Sequence, residues 1–180
     1  RYSIRKSQKE GVEIKTSARQ EDVEIFYEVY AETAKRQGFV PFSKDYICEE
    51  FKIFVAENKI LFFLAYYKNE LVAVAVAIFA NGSGFYHHGG SLRKYANIPA
   101  SEMLQWAAIQ EAQKRNLPLY NFWGISPEED KNHPWKGISQ FKKGFGGFSE
   151  EYLHCQDMPL NYKYWFNYVI EKIRKIKRGY

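Results

Sequence analysis

The chain has 180 residues and a mass of 21.2 kDa, a length that favours a single domain with a substantial hydrophobic core. Hydrophobic residues make up 46% of the chain and aromatic residues 18%, a composition that excludes an intrinsically disordered protein. The 26 Lys and Arg residues outnumber the 21 Asp and Glu residues, and this mild basic excess of +5 favours polyanionic partners without reaching the charge density of a histone-like tail.

Cysteine spacing and the length of the apolar runs exclude two more classes of protein. Cys48 and Cys155 lie far apart and in no metal-ligand or redox spacing, so we expect neither a disulfide framework nor a zinc knuckle. A reducing, cytosolic compartment fits this usage best. The longest apolar run, Leu71 to Ala80, is about half of the ~20 residues that cross a bilayer, so we predict no membrane span.

The first third of the chain predicts mainly helices. Residues 1–10 indicate a helix and residues 12–15 a short strand. Apolar positions recur with helical spacing from Glu21 onward, and Gly38 marks the end of that helix. Ser43 is placed to cap a second, shorter helix.

Three apolar segments, 60–67, 71–79 and 85–88, are separated by short turns and predict an antiparallel meander. In the middle strand the alternation predicts one face with Val72, Val74, Val76 and Ile78 and another with Leu71, Ala73, Ala75, Ala77 and Phe79. A sheet that is apolar on both faces is an interior layer, and the alanines are expected under a closely packed helix.

The second half alternates helices and strands. The pattern predicts a helix over 99–115, a buried strand over 117–125, a helical segment with a glycine exit over 135–147, a strand over 151–158 and a final amphipathic helix from Tyr162. A meander followed by a helix and a returning strand gives an α/β layered sheet with helices on both faces.

The sequence lacks the motifs of several common catalytic and metal sites. A serine hydrolase elbow, G-x-S-x-G, does not occur. The glycines of 144–147 follow a helical segment and precede a predicted strand, which is the reverse of a dinucleotide-binding fingerprint and fits a helix C-cap. His87 and His88 are adjacent in a strand, so their side chains are expected on opposite faces, where they cannot bind one ion. We therefore predict no metal site.

Two strand ends are candidate binding sites. In residues 85–90 the glycines Gly89 and Gly90 allow close backbone approach by a ligand, and Tyr86 and His87 can supply hydrogen bonds. The alternative is that these glycines only terminate the strand. Residues 120–125 have the same character, and two such strand ends side by side would form a cleft.

The segment 135–147 combines aromatic rings, cations and glycines. Lys142 and Lys143 lie between Phe141 and Phe145, so at least one ammonium group is expected beside an apolar wall. There it could bind a phosphate or an oxyanion more strongly than a fully solvated lysine does. The alternative is a solvated amphipathic turn whose rings fill the core.

Three motifs carry a resemblance to a known family: FYHHGG at 85–90, YNFWGI at 120–125 and WKGISQFKKGFGG at 135–147. Their order and spacing resemble the FemABX family of peptidoglycan-bridge aminoacyltransferases. The opening residues look like the family segment that closes a first acetyltransferase-like domain. The resemblance thus predicts that 1–15 is a lead-in from a missing N-terminal domain and 16–180 a C-terminal acetyltransferase-like domain.

The resemblance implies a Gcn5-related acetyltransferase-like fold and a transfer reaction. An amino acid would move from aminoacyl-tRNA, the co-substrate, to the stem-peptide amine of a peptidoglycan precursor, either UDP-MurNAc-pentapeptide or lipid II. No other cofactor is implied. The protein would be cytoplasmic, free or peripheral at the inner face of the membrane, and we expect the isolated chain to be inactive because half of the cleft would be missing.

The resemblance also implies roles for individual residues. Of the two adjacent lysines it points to Lys142 as the catalytic group with Phe141 as its neighbour, and it leaves Lys143 as the alternative. The residues expected to bind substrate lie on the first two motifs and are Tyr86, His87, Tyr120, Trp123 and Gly124.

Two other functions remain open. An acetyl-CoA-dependent N-acetyltransferase would hold pyrophosphate with a Q/R-x-x-G-x-G/A loop after the meander, and residues 89–99 lack that pattern. A non-catalytic module that binds tRNA or a cell-wall precursor is the second. The basic end of the last helix, 172–178, could meet tRNA phosphates or anionic lipids, or could simply complement its own helix dipole.

Overall fold

The computed structural model describes residues 1–127, 133–153 and 156–178. The chain divides into two compact units, residues 1–123 and residues 124–180, here called the sheet unit and the C-terminal unit. Among the described residues, no helix combines the length and the apolar character that a bilayer crossing requires.

The sheet unit contains five strands and four α-helices. Their bounds are α1 Tyr2–Lys9, β1 Glu13–Ser17, α2 Asp22–Gln37, α3 Lys44–Ala56, β2 Ile60–Tyr67, β3 Glu70–Ala80, β4 Ser83–Ser91, α4 Ala100–Lys114 and β5 Leu119–Asn121. The strands lie in the order β1-β2-β3-β4-β5; the first four are antiparallel and β5 runs parallel to β4. The predicted α/β sheet with a returning strand is confirmed.

Local sequence signals explain how these elements begin and turn. The side-chain oxygen of Ser43 accepts a hydrogen bond from the backbone N–H of Tyr46, which confirms the predicted cap of α3. The turn between β2 and β3 has positive φ at both Lys68 and Asn69, as a two-residue type I′ hairpin requires. β1 pairs with β2 through Glu13 and its neighbours, so part of the predicted lead-in belongs to the sheet, while its assignment to a missing domain stays a prediction.

Two hydrophobic cores cover the two faces of the sheet. α4 packs on one face, where it meets the predicted alanine row, and this core contains Ala73, Ala75, Ala77, Phe79, Leu104, Ala108 and Ala112. α2 and α3 pack on the other face, and that core contains Phe26, Phe51, Phe62, Val74, Val76 and Ile78. Small alanine side chains let α4 approach the strands closely, as the sequence predicted.

The prediction for the start of β3 was wrong. The β2–β3 ladder pairs Ala65 with Ala73 but Tyr66 with Leu71, so Val72 is the extra residue of a β-bulge. A bulge places one more residue on one strand and restarts the alternation of side chains. Val72 therefore packs in the alanine-side core, and Leu71 packs against the opposite one.

Two later strands differ from their predictions. The strand predicted over 117–125 is only Leu119–Asn121, because Trp123 has a φ of 62° and the extended backbone ends before it. In the C-terminal unit, α5 spans Lys136–Lys143 and α6 spans Lys163–Arg178, which confirms both predicted helices. The strand predicted over 151–158 is absent among those of its residues that the structure describes.

Candidate functional site

The end of β5 lies beside the first residues of β4 and not, as the sequence had predicted, beside the end of β4. β4 and β5 pair in parallel, with Gly84 opposite Tyr120 and Phe85 opposite Asn121. This ladder stops at Asn121, whereas β4 continues to Ser91. The start of the first motif therefore lies beside the second motif at this edge of the sheet unit, whereas Gly89 and Gly90 lie beyond the ladder.

Tyr86 and Tyr120 are brought together at this edge. Both rings lie edge-on to Phe122, at centroid distances of 6.3 Å and 5.1 Å. The hydroxyl of Tyr120 donates a hydrogen bond of 2.9 Å to Oε1 of Gln105, a buried residue of α4. We call Tyr86, Tyr120 and Phe122 the aromatic edge.

Burial raises the pKa of both phenols further above neutral pH. It raises the pKa of Tyr86 to about 12, and burial together with the neighbouring Tyr86 raises the pKa of Tyr120 as well. Both hydroxyls therefore keep their protons at neutral pH. In that state each phenol has one O–H to donate and does not act as a base, and the O–H of Tyr120 is already donated to Gln105.

Gly89 and Gly90 do not terminate the strand, because β4 continues through them to Ser91. A Cβ on Gly89 would lie 2.2 Å from the Tyr86 hydroxyl, and a Cβ on Gly90 would lie 2.9 Å from the backbone oxygen of Val29. The close approach predicted for a ligand is made here by the protein itself: the Tyr86 side chain on Gly89, and α2 on Gly90.

Replacing Gly90 with alanine is expected to destabilise the protein by about 1–3 kcal/mol, since overpacking a close contact costs that much. The new methyl would meet backbone atoms of α2, which can yield only if the helix moves. Chemical denaturation followed by circular dichroism measures the change. Gly137→Ala is the matched control, because a Cβ there has no neighbour within 4 Å; an equal loss in both variants would contradict the prediction.

The prediction that His87 and His88 point to opposite faces was wrong. Their ring centroids are 4.0 Å apart, and both imidazoles face the carboxylate of Glu50. The β3–β4 ladder pairs Val76 with His88 and the next residue with Tyr86, so His87 is the extra residue of a second β-bulge. The bulge puts the two adjacent side chains on the same side.

The other predicted binding residues lie at the exit of β5. The Trp123 ring is 55% exposed and lies 5.3 Å from the ring of Phe85. The carbonyl oxygen of Gly124, the first residue of the C-terminal unit, accepts a hydrogen bond of 2.7 Å from Nζ of Lys142.

The two predicted lysines differ in environment. Lys142 is partly buried, and burial lowers the pKa of its ammonium group. Lys143 is exposed. Phe141 and Phe145 lie edge-to-face at 5.5 Å, so the predicted apolar wall next to the lysines is present. Lys142 is thus the more buried of the two lysines, and the catalytic role that the resemblance gives it stays a prediction.

A buried serine pair lies in the same unit as Lys142, and no motif or periodicity in the sequence indicates it. Oγ of Ser139 accepts hydrogen bonds from the backbone N–H and the hydroxyl of Ser126, at 2.8 Å and 2.9 Å. Both serines are buried. Ser126 is two residues after Gly124, and Ser139 is three residues before Lys142 in α5. The serine contact therefore ties the segment with the Gly124 carbonyl to the helix that carries Lys142.

A model of the FemAB family matches residues 1–69 and 66–172, which together span most of the sequence. The chain belongs to the FemAB family. This confirms the resemblance drawn from the three motifs, all of which lie within the second match.

Curated relatives of this FemAB-family chain include two aminoacyltransferases of Staphylococcus epidermidis. FemA is 30% identical over 93 residues, which are 52% of this chain and 22% of FemA. FemB is 32% identical over 95 residues, which are 52% of this chain and 23% of FemB. The match therefore spans less than a quarter of either relative.

Solved structures confirm the fold. The crystal structure of FemX superposes with a TM-score of 0.73 at 16% identity, over 79% of this chain and 52% of that chain. A predicted acetyltransferase from Clostridium acetobutylicum, solved with acetyl-CoA, gives a TM-score of 0.60 at 13% identity, over 81% of this chain and 96% of that chain. The acetyltransferase-like architecture expected from the sequence is thus confirmed, and the chain spans about half of FemX.

Proposed function

We propose that the protein is an aminoacyltransferase of peptidoglycan-bridge synthesis and that this chain supplies its C-terminal acetyltransferase-like domain. The donor is aminoacyl-tRNA, and the acceptor is the stem-peptide amine of UDP-MurNAc-pentapeptide or lipid II. Membership of the FemAB family and the aminoacyltransferase relatives support the reaction class. These substrates would place the reaction in the cytoplasm, or at the inner face of the membrane when the acceptor is lipid-linked.

The observation that carries the proposal is the partly buried ammonium group of Lys142. It is held by the Gly124 carbonyl at 2.7 Å in a helix fixed by the Ser126–Ser139 pair. An ammonium group has three donors, so the group that binds this carbonyl can also donate to a ligand. A cation in partly desolvated surroundings interacts more strongly with negative charge than one in water does.

The transfer reaction needs such a cation more than it needs a nucleophilic side chain. The acceptor amine attacks the ester carbonyl carbon, a C–N bond forms, and the ester C–O bond breaks. The ribose oxygen leaves and takes up the proton that the amine gives up. Negative charge develops on the carbonyl oxygen and on the departing oxygen, so a positioned ammonium group lowers the barrier.

The aromatic edge is proposed to contact the peptidoglycan precursor. The protonated phenol of Tyr86 is proposed to donate to a carbonyl or phosphate oxygen of such a ligand, and Tyr120, whose O–H is donated to Gln105, is proposed to contact the ligand through its ring. Trp123 belongs to the same proposed set. Gly124 lies in the C-terminal unit beside Lys142, and His87 faces Glu50 on the α2/α3 side of the sheet.

Transfer assays with the product of the complete gene test this function. Aminoacyl-tRNA carrying a radiolabelled amino acid is mixed with UDP-MurNAc-pentapeptide or with lipid II, and mass spectrometry locates the added residue. We expect label on the stem-peptide amine with at least one acceptor. Acetyl-CoA is offered as a donor in a parallel reaction.

Two results would contradict the proposal. Acetyl transfer from acetyl-CoA without any aminoacyl transfer would identify an N-acetyltransferase instead. Saturable binding of precursor or tRNA, with no transfer from any of the twenty aminoacyl-tRNAs, would identify a non-catalytic binding module.

A further inference from the structure

A second group of chemically active side chains lies on the α2/α3 side of the sheet unit. Glu50 comes from α3, and His87 and His88 come from β4. Nε2 of His87 lies 2.9 Å from Oε1 of Glu50, and Nε2 of His88 lies 3.6 Å from Oε2. One ligand-type atom from each of the three residues lies within 4.8 Å of the others.

The surroundings hold these side chains in place. The hydroxyl of Tyr46, one helical turn before Glu50, is 3.4 Å from Oε1 of the carboxylate. The rings of Tyr30 and Phe42 lie 5.4 Å and 5.5 Å from the imidazole of His88. An aromatic wall that fixes a histidine ring and limits solvent access is typical of the shell around a metal site.

In the part of the chain that the structure describes, one buried nitrogen atom of this group has no hydrogen-bond partner. The His88 side chain is 9% exposed, and among the described residues its Nε2 has no hydrogen-bond partner. The 3.6 Å separation from Glu50 is too long for a hydrogen bond. A buried polar atom without a partner is unusual in a native protein, and an ion bound at this nitrogen would account for it.

From this geometry we propose that Glu50, His87 and His88 bind a divalent transition-metal ion of the zinc type. Zinc bonds of about 2.0–2.2 Å at a tetrahedral angle place two ligand atoms about 3.4 Å apart, and the observed separations of 2.9 Å and 3.6 Å bracket that distance. Two histidines and one glutamate are the protein ligands of one class of open zinc site, in which water or substrate takes the fourth position. The His87 side chain, 22% exposed, is the most accessible of the three.

An ion at this position would bind an oxygen of water, a carboxylate or a carbonyl group through its open coordination site. The proposal does not depend on the aminoacyltransferase function. Metal binding and amino-acid transfer are measured separately, so failure of one leaves the other intact.

The test uses the 180-residue chain without a polyhistidine tag, stripped with EDTA and then titrated with Zn²⁺ or Co²⁺. We expect one equivalent of Zn²⁺ to bind and to raise the thermal midpoint by several degrees. Co²⁺ should produce the visible d–d bands of a tetrahedral site. An unchanged midpoint together with no Co²⁺ spectrum would overturn the proposal.

Glu50→Gln removes a ligand with little change in shape, and Glu49→Gln is its matched control. Glu49 is the next residue of α3 and its side chain is 68% exposed. Substitutions of residues that support a metal ligand usually weaken binding by about 10- to 100-fold. Glu50→Gln removes a ligand itself, so we expect a larger loss of Zn²⁺ affinity than that, whereas Glu49→Gln should leave the affinity within about twofold.

His87→Gln provides a second variant in case Glu50→Gln does not fold, since His87 is the least buried ligand. Circular dichroism of each metal-free variant establishes that it is folded before binding is measured. Equal Zn²⁺ affinity in the wild type, Glu50→Gln and His87→Gln would overturn the proposed ligand set.

Discussion

Replacing Lys142 with methionine is expected to lower kcat/KM for aminoacyl transfer by about 100- to 1,000-fold, the usual effect of removing one group that stabilises an oxyanion. Methionine has nearly the length of lysine and no charge, so it keeps the packing and removes the ammonium group. The loss should fall mainly on kcat, because the negative charge exists in the transition state and not in the bound substrate.

Lys143→Met is the control for this variant. The two lysines are adjacent in α5, but Lys143 is exposed while Lys142 is partly buried and donates to the Gly124 carbonyl. We expect Lys143→Met to change kcat/KM by no more than a few-fold. Both variants are assayed in the product of the complete gene, with thermal midpoints to establish that each is folded.

The comparison also decides between the two lysines that the sequence left open. If Lys143→Met lost activity and Lys142→Met retained it, the assignment of the catalytic lysine would be reversed. If both variants kept full turnover, neither lysine would stabilise the transition state, and the proposed mechanism would have to be abandoned.

Periodicity predicted most of the sheet unit because each element there has a clear apolar face. α4 shows this best: Ala108 and Ala112 mark a helix that must approach its sheet closely, and both are buried against β3 and its neighbours. The returning strand next to β4 followed from the order of elements, since a helix between two strands returns the chain to the same sheet.

The two failures inside the sheet have one physical cause. The sequence prediction for Val72 and for the His87–His88 pair assumed strict alternation, and a β-bulge lies at both positions. A bulge depends on how two distant strands fit together, and neither strand carries a local signal for it. The error mattered most at the histidines, because strict alternation made a shared metal ion look impossible.

The C-terminal unit was harder to predict than the sheet. Its two helices have strong amphipathic patterns and were found, but the strand over 151–158 rested on a short apolar run, which does not distinguish a strand from irregular structure. The Ser126–Ser139 contact joins two small polar residues 13 positions apart, and no periodicity or motif marks such a pair. The environment of Lys142 therefore could not be derived from its neighbours in sequence.

Replacing Phe62 with alanine is expected to lower the free energy of unfolding by about 3–5 kcal/mol, the usual cost of removing a fully buried phenylalanine ring. Phe62 is 0% exposed in the core beneath α2 and α3. Its ring is stacked on the ring of Phe51, with the centroids 4.2 Å apart, and its centroid lies 5.2 Å from that of Phe26. Natural domains have about 5–15 kcal/mol of stability, so this one change would remove a large share of it.

Urea denaturation followed by circular dichroism measures the loss, and Phe148→Ala is the control because Phe148 is 81% exposed. A surface change of that kind is expected to stay within about 0.5 kcal/mol. Phe51 follows Glu50 directly in α3, so the cavity left by Phe62→Ala should also loosen the helix that carries the proposed metal ligand. A Phe62→Ala loss no larger than that of Phe148→Ala would mean that the stack of rings does not hold α3 on the sheet.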